Sequence, residues 1–457
     1  MHDQRDLRGH WWLPGNREER IVGGVLSYHP IDGLELDVFD SLTQRESDGL
    51  EISGGDEPEV IGRIFGITHD GDRVTLDTCQ RTFERVAYNS GVSRPETFSV
   101  TRALIGEHFH DEIRFGSVGM QVEALHRWFS RSGLNLDFDP DPGNQETNDT
   151  VENQGSDSVV SAQYTYPDSE TVVSNDLTVH FDPGITVERE GSTSVKFSET
   201  TSIEIGPTWS EDTLSLSQAQ SVLRKIQLFL ALGLQEPIQP IEITGYYESE
   251  REQPEASVEI LTNSSAENTI SENPHQQELL FLLPDIEDEF ESVLDTWIQS
   301  FDELTPVLNI YFKTIYDDSD LITKYLLQRA VLEVYYCTQI RGNQLSEPSF
   351  EQTNFEESQA DFDTIRALLG KETEKPFDAQ LEEILEHHSD TVSKIPDKVA
   401  DRVSEAHSSI ESLFDRSQNA SSALYRQSES LAIICNIVIL SEINLSPERI
   451  ATLVEMH

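Results

Sequence analysis

Leu321-Ile322-Thr323-Lys324-Tyr325-Leu326-Leu327-Gln328-Arg329-Ala330-Val331-Leu332-Glu333-Val334-Tyr335 is the stretch that decides the architecture. Ile322, Leu326, Leu327, Ala330, Val331, Val334 and Tyr335 recur three and four apart, a spacing that lines one face of an α-helix. The same period starts after Leu279 with Phe290, Val293, Leu294 and Trp297, and Pro306 punctuates it. Weaker helical patterns cover Asp361 to Leu369 and Ala379 to His388. Ile395 to Leu413, Ser422 to Ile443 and a last helix opened by Ser446, with Pro447 at its first position, complete the set. Residues 279–457 therefore read as an all-α helical bundle.

Toward the N-terminus the period becomes two. Ile21 to Tyr28, Leu34 to Phe39, Val74 to Leu76, Phe98 to Val100, Leu177 to Phe181, Ile185 to Glu190, Ser194 to Ser198 and Ser202 to Ile205 alternate apolar with polar residues between Gly, Pro and Asp breaks. Residues 1–248 are expected to form an antiparallel β-rich domain, making the fold class α+β multidomain. Two helical patterns interrupt it: Val122, Leu125, Trp128 and Phe129, closed by Gly133, and Val222, Leu223, Ile226, Phe229 and Leu230, closed by Gly233. Residues 137–157 are Asp/Asn/Gly/Gln-rich and read as a surface or disordered insertion. Residues 249–278 read as a linker or boundary that carries one strand-like piece, Val258 to Ile260.

Charge narrows the function. Asp and Glu number 84 against 32 Lys and Arg, giving a formal charge of -52 over 457 residues. Self-repulsion of that size opposes compaction in dilute buffer, whereas at molar salt the screening length falls to ~3 Å. The acidity reads as adaptation to a salt-rich, halophilic cytoplasm, and a general grip on phosphate backbones is excluded, so any RNA contact must be local. Cys79, Cys337 and Cys435 are far apart and odd in number, which indicates a reducing compartment without a disulfide framework or thiolate zinc site. The start of the chain is polar, and the longest apolar run, Leu431 to Leu440, is about half of the ~20 residues that span a bilayer. The expected location is cytoplasmic, with no membrane.

One short motif carries chemistry. In Arg402-Val403-Ser404-Glu405-Ala406-His407 the imidazole can take or give a proton while the guanidinium holds a phosphate as charge builds, the two needs of metal-free RNA cleavage. The spacing alone is weak, since Arg5/His10, Arg63/His69 and Arg102/His108 also fit. On one helix, residues five apart lie about 140° round the axis. Arg402 and His407 therefore need a helix break, a wrapped arginine side chain, or a second protomer to meet.

Four blocks, in order, place this motif in context. Gly9-His10-Trp11-Trp12-Leu13-Pro14 with Gly24 to Tyr28 and Asp32 to Leu36 opens the chain; Asp302 to Leu308 and Arg329 to Tyr335 follow; Lys398 to His407 is third; Leu424-Tyr425-Arg426 begins the last long helix. In these blocks the chain resembles the ApeA-like proteins, which join a β-rich N-terminal domain to a C-terminal HEPN (higher eukaryotes and prokaryotes nucleotide-binding) domain. The resemblance implies a metal-independent endoribonuclease acting as a homodimer or higher homo-oligomer. Its RNA substrate's 2′-hydroxyl attacks the adjacent phosphate, His407 acts as general base or acid, and Arg402 stabilises the pentacovalent transition state. The products carry a 2′,3′-cyclic phosphate, and no metal or cofactor is called for.

Similar proteins act in defence against phage or other mobile elements, damaging host RNA so that the infected cell stops growing. The N-terminal domain would sense or restrain, with a trigger of phage or cellular origin that the sequence does not name. Val403 departs from the family's polar residue, often Asn, at that position. Glu333 and Glu405 are candidate supporting carboxylates; Glu333 would orient Arg402, or be a buried structural carboxylate, or stay exposed. Two other classes compete: a non-catalytic HEPN scaffold or RNA-binding dimer, and a ligand-binding β domain with a structural helical tail. His108-Phe109-His110-Asp111 reads as a metal-free strand end, the His387-His388 pair as a solvated helix end, and Trp11 with Trp12 as a strand anchor in preference to a stacking platform.

Overall fold

The structure is a computed structural model that describes residues 4–17, 20–29, 33–42, 60–84, 95–122, 124–138, 160–190, 194–209, 212–248, 256–262, 279–317, 319–342, 375–405 and 420–455. The period-two segments at the start form β1 (Arg5–Trp12), β2 (Val22–His29), β3 (Gly33–Val38), β4 (Val60–Thr68), β5 (Arg73–Glu84) and β6 (Glu96–Ile105). They pair antiparallel in the order β6-β3-β2-β1-β4-β5, and β5 pairs again with β6. Six strands thus close into a barrel, which removes their open edges. Trp11, Leu26, Leu36, Ile64, Leu76, Phe98 and Val100 fill the interior. Gly66 leaves the space that the Trp11 ring occupies.

The chain continues through β7 (Arg114–Phe115), β8 (Ser117–Val122), α1 (Leu125–Phe129), β9 (Leu134–Phe138), β10 (Val160–Tyr164), β11 (Glu170–Ser174), β12 (Leu177–Glu190), β13 (Ser194–Pro207), β14 (Leu214–Ser215), α2 (Leu216–Leu234), β15 (Pro240–Tyr247) and β16 (Ala256–Thr262). A second run of antiparallel strands, β11-β12-β13-β8-β15-β16, joins the barrel through β6. The first half of β6 pairs with β3, from Glu96 to Val100, and its second half pairs with β16, from Arg102 to Ile105. The strand-like piece inside residues 249–278 is therefore the seam between barrel and open sheet.

Local expectations need three corrections. The two pairs of short strands between Leu177 and Ile205 are two long ones, β12 and β13, paired without interruption from Leu177↔Pro207 to Glu190↔Ser194, with Pro183 opposite Thr201. Gly233 does not close α2, which runs to Leu234 and ends where Gln235 takes a left-handed conformation, φ 52°. Gly133 does not close α1 either: Ser130 does, at φ 53°, while Gly133 presses against the Thr165 backbone. At Gly233 and Gly133 the glycine answers a close approach of another segment, a demand that local sequence does not display.

The helical half comprises α3 (Leu283–Ile286), α4 (Phe290–Tyr316), α5 (Leu321–Tyr335), α6 (Phe377–His387), α7 (Ser389–Val392), α8 (Asp397–Glu405), α9 (Ala420–Glu442) and α10 (Pro447–Glu455), with a π-helical turn, Tyr336–Ile340, extending α5. Asp320 starts α5 by accepting from the backbone N–H groups of Ile322 and Thr323 at 2.8 and 3.0 Å. Pro306 lies inside α4 and does not end it. The ring deprives Asp302 of its helical donor, at a cost of roughly 3 kcal/mol. Burial of Val293, Leu294, Trp297, Leu304, Val307, Leu308 and Phe312 on the same helix outweighs that cost. The weak pattern at Asp361 to Leu369 lies outside the described residues.

The open sheet and the helical half share one hydrophobic core, separate from the one inside the barrel. Inward residues of the open sheet, including Val118, Met120, Val179, Phe181, Ile203 and Ile205, pack in the same cluster as α2, α4, α5 and α9. Trp128 on α1 sits among Phe181, Phe229 and Phe290, with ring centroids 6.1, 5.9 and 5.7 Å away. Among the described residues one helix, Ser422–Glu442, is long and apolar enough to cross a membrane. Its Leu431, Ile434, Cys435 and Leu440 are instead fully buried against the other helices.

Candidate functional site

Helix α8 carries the first part of the Arg402–His407 motif. Ile395, Val399 and Val403 recur four apart and are all buried, so they fix which way the helix faces. Arg402, one position before Val403, is left half-buried at the flank with Nη2 3.6 Å from Glu429 Oε2 on α9. The Val403 side chain is 5% exposed, and its apolar character is that of a core residue. Glu405 is the last residue of α8. His407 lies outside the described residues, as does the distance between it and Arg402.

Glu333 is buried on α5, where its Oε1 accepts from Nε of Arg329 at 2.8 Å, one helical turn earlier. Arg329 also covers the Phe377 ring at 4.5 Å from its centroid. Glu333 is thus paired with Arg329 of its own helix, and Arg329 in turn packs on α6.

A second polar cluster lies at the far end of the bundle. The π-helical turn after Tyr335 widens the backbone, and both Tyr335 and Tyr336 are buried side by side. Tyr335 Oη donates to Glu442 Oε1 at 2.6 Å and lies 2.9 Å from His388 Nε2. Tyr336 Oη donates to Glu383 at 2.7 Å and accepts from Arg341 Nε at 3.1 Å, and Lys375 pairs with the same Glu383. Lys375 and the Tyr336 hydroxyl hold the Glu383 carboxyl below the usual carboxylate range.

The His387-His388 pair is not a solvated helix end. His388 takes a non-helical backbone, φ -97° and ψ 25°, and turns its ring into the core at 8% exposure, while His387 stays exposed. Burial, with His387 adding a smaller like-charge effect, pushes the His388 pKa down to about 4. Sequence patterning missed this site because its members come from α5, the α6 to α7 junction and α9, and only the fold brings them together. The one signal available was the polar histidine at an apolar helix period.

The family model described as ApeA N-terminal domain 1 matches residues 6–297, well over half of the chain. The chain belongs to the ApeA family. No curated protein and no solved structure matches it. The matched region of this ApeA-family chain takes in the barrel, the open sheet, α1 to α3 and the first residues of α4, ending at Trp297.

Within that ApeA region the remaining candidates have structural roles. Trp11 is fully buried in the barrel; Trp12 is buried too, with Arg17 over its ring and His108 edge-on at 5.4 Å. His108 Nε2 lies 2.7 Å from the Gly66 carbonyl oxygen, and His108 and His110 both pack on Phe65. Burial lowers the His108 pKa, opposed by that hydrogen bond. Arg5, Arg63 and Arg102 are tied to Glu259, Asp77 and Asp77 respectively, which accounts for the arginines of the three rival spacings.

Proposed function

We propose that this ApeA-family chain is a cytoplasmic defence effector whose helical half is a HEPN-type, metal-independent endoribonuclease acting as a homodimer. The barrel and open sheet sense the trigger or restrain the nuclease. The observation that carries the reading is the setting of Arg402: the buried Val399 and Val403 pin α8, so the guanidinium stays on its accessible flank in reach of Glu429. A guanidinium so placed can hold a phosphodiester and stabilise the charge that develops on it. His407 would supply the proton transfer, and Glu429 would keep Arg402 oriented between substrates. Ile322 and Leu326 on α5 remain exposed and supply apolar surface for self-association. The shared core gives the N-terminal region a direct mechanical path to the nuclease half.

A second reading is supported by Val403. Its burial shows how a polar position can be given to packing, which favours a non-catalytic HEPN scaffold that binds RNA as a dimer. RNA cleavage in molar KCl with EDTA decides between them. The nuclease reading expects cuts ending in 2′,3′-cyclic phosphate, lost in both Arg402→Ala and His407→Ala. Toxicity in cells that survives both substitutions would leave the scaffold.

A further inference from the structure

We infer that His387, His388 and Glu442 form a binding site for one divalent transition-metal ion, of which Zn2+ is the best-fitting member. Their ligand atoms lie within 4.8 Å of one another, close enough for one ion to reach all three after small side-chain rotations. Two imidazoles and one carboxylate are the donor set that zinc takes when three protein groups bind it and a fourth position stays open to water. The mixture of nitrogen and oxygen donors selects against Mg2+ and Ca2+, which take oxygen.

The fold prepares this set. His387 is the last residue of α6 and His388 leaves the helical conformation, and the two adjacent rings meet edge to face, centroids 5.0 Å apart at 88°. Glu442 ends α9 and is held there by the Tyr335 hydroxyl, which supplies the outer hydrogen bond that orients a ligating carboxylate. The same hydroxyl reaches His388, so the site keeps its shape without an ion. His388 is buried, Glu442 partly buried and His387 exposed, which gives the ion an anchored floor and a way in from solvent.

This site is separate from the proposed nuclease. Glu442 stands thirteen positions after Glu429 on α9, ~20 Å along the helix axis. The three ligands tie the α6 to α7 junction to the end of α9, and Tyr335 at the end of α5 is hydrogen-bonded to two of them.

The test uses the full chain, stripped with EDTA, dialysed into molar KCl and titrated with ZnCl2 by calorimetry, with metal content checked by mass spectrometry. One ion per chain is expected, with a Zn2+-dependent rise in melting temperature. His387→Ala, which removes an exposed side chain and leaves the core intact, should weaken that binding at least ~10-fold, and Glu442→Gln should do the same. Binding that is absent in the wild type, or unchanged in His387→Ala, overturns the inference. Neither result bears on RNA cleavage, which is measured with EDTA present.

Discussion

The Gly233 carbonyl accepts the backbone N–H of Phe281 at 3.0 Å and that of Leu280 at 2.8 Å, locking the end of α2 to the segment that enters the helical half. A Cβ on Gly233 would fall 2.8 Å from both the Phe281 carbonyl oxygen and Trp128 Nε1, two groups with no room to move. Gly233→Ala would raise helix propensity in isolation, yet here the clash dominates. Chemical denaturation should show a loss of ~1 to 3 kcal/mol. Equal or greater stability in the variant would mean that the two halves are not joined this tightly.

Placing a polar residue at position 403 should harm the fold. Val403 packs in the core, so Val403→Asn buries an amide without a partner, at a cost of roughly 1 to 3 kcal/mol. Val403→Ile keeps the apolar contact and should cost under ~1.5 kcal/mol. A melting curve for Val403→Asn that overlays the wild type would show this position to be free for chemistry.

The salt dependence follows from the charge of -52. Screening shortens from ~10 Å at 0.1 M to ~3 Å at 1 M, which removes most carboxylate repulsion between surface groups. The melting temperature should climb steeply over that range of KCl. A melting temperature that stays flat would separate the acidity from solvent adaptation and point to a basic partner.

Periodicity reveals an element when the burial of that element is local. The stripe from Leu327 to Tyr335 and the alternation in β2 read directly as helix and strand because each presents one face to one core. Closure of the barrel was not legible, since it depends on β5 returning to β6, a pairing that no single-strand pattern contains. Gly133, Gly233 and Pro306 misled for the same reason. Their local meaning as breakers was overruled by contacts from Thr165, from Phe281 and from the core around α4. The motif reading gave Val403 a chemical meaning, whereas the fold buries it in the core. Sequence patterning read His388 as part of a solvated helix end, because the partners that bury it, Tyr335 and Glu442, lie 53 residues before it and on another helix.

His388 makes the metal-free chain acid-sensitive in a defined window. Its pKa is about 4 when folded against the ordinary 6.5, because burial first and the neighbouring His387 second disfavour the imidazolium. As pH falls through 6.5 the unfolded chain takes up this proton while the folded chain does not. Stability from this group is therefore complete above about 6.5 and lost progressively toward 4. The whole contribution is ~3 kcal/mol. Other groups titrate in this range too, so the comparison that isolates His388 is with His388→Gln. Urea denaturation between pH 7 and 4 should give the wild type the steeper decline, by close to one proton at pH 5. Parallel curves for the two proteins would place the His388 ring in water and undo the buried Tyr335–His388–Glu442 arrangement.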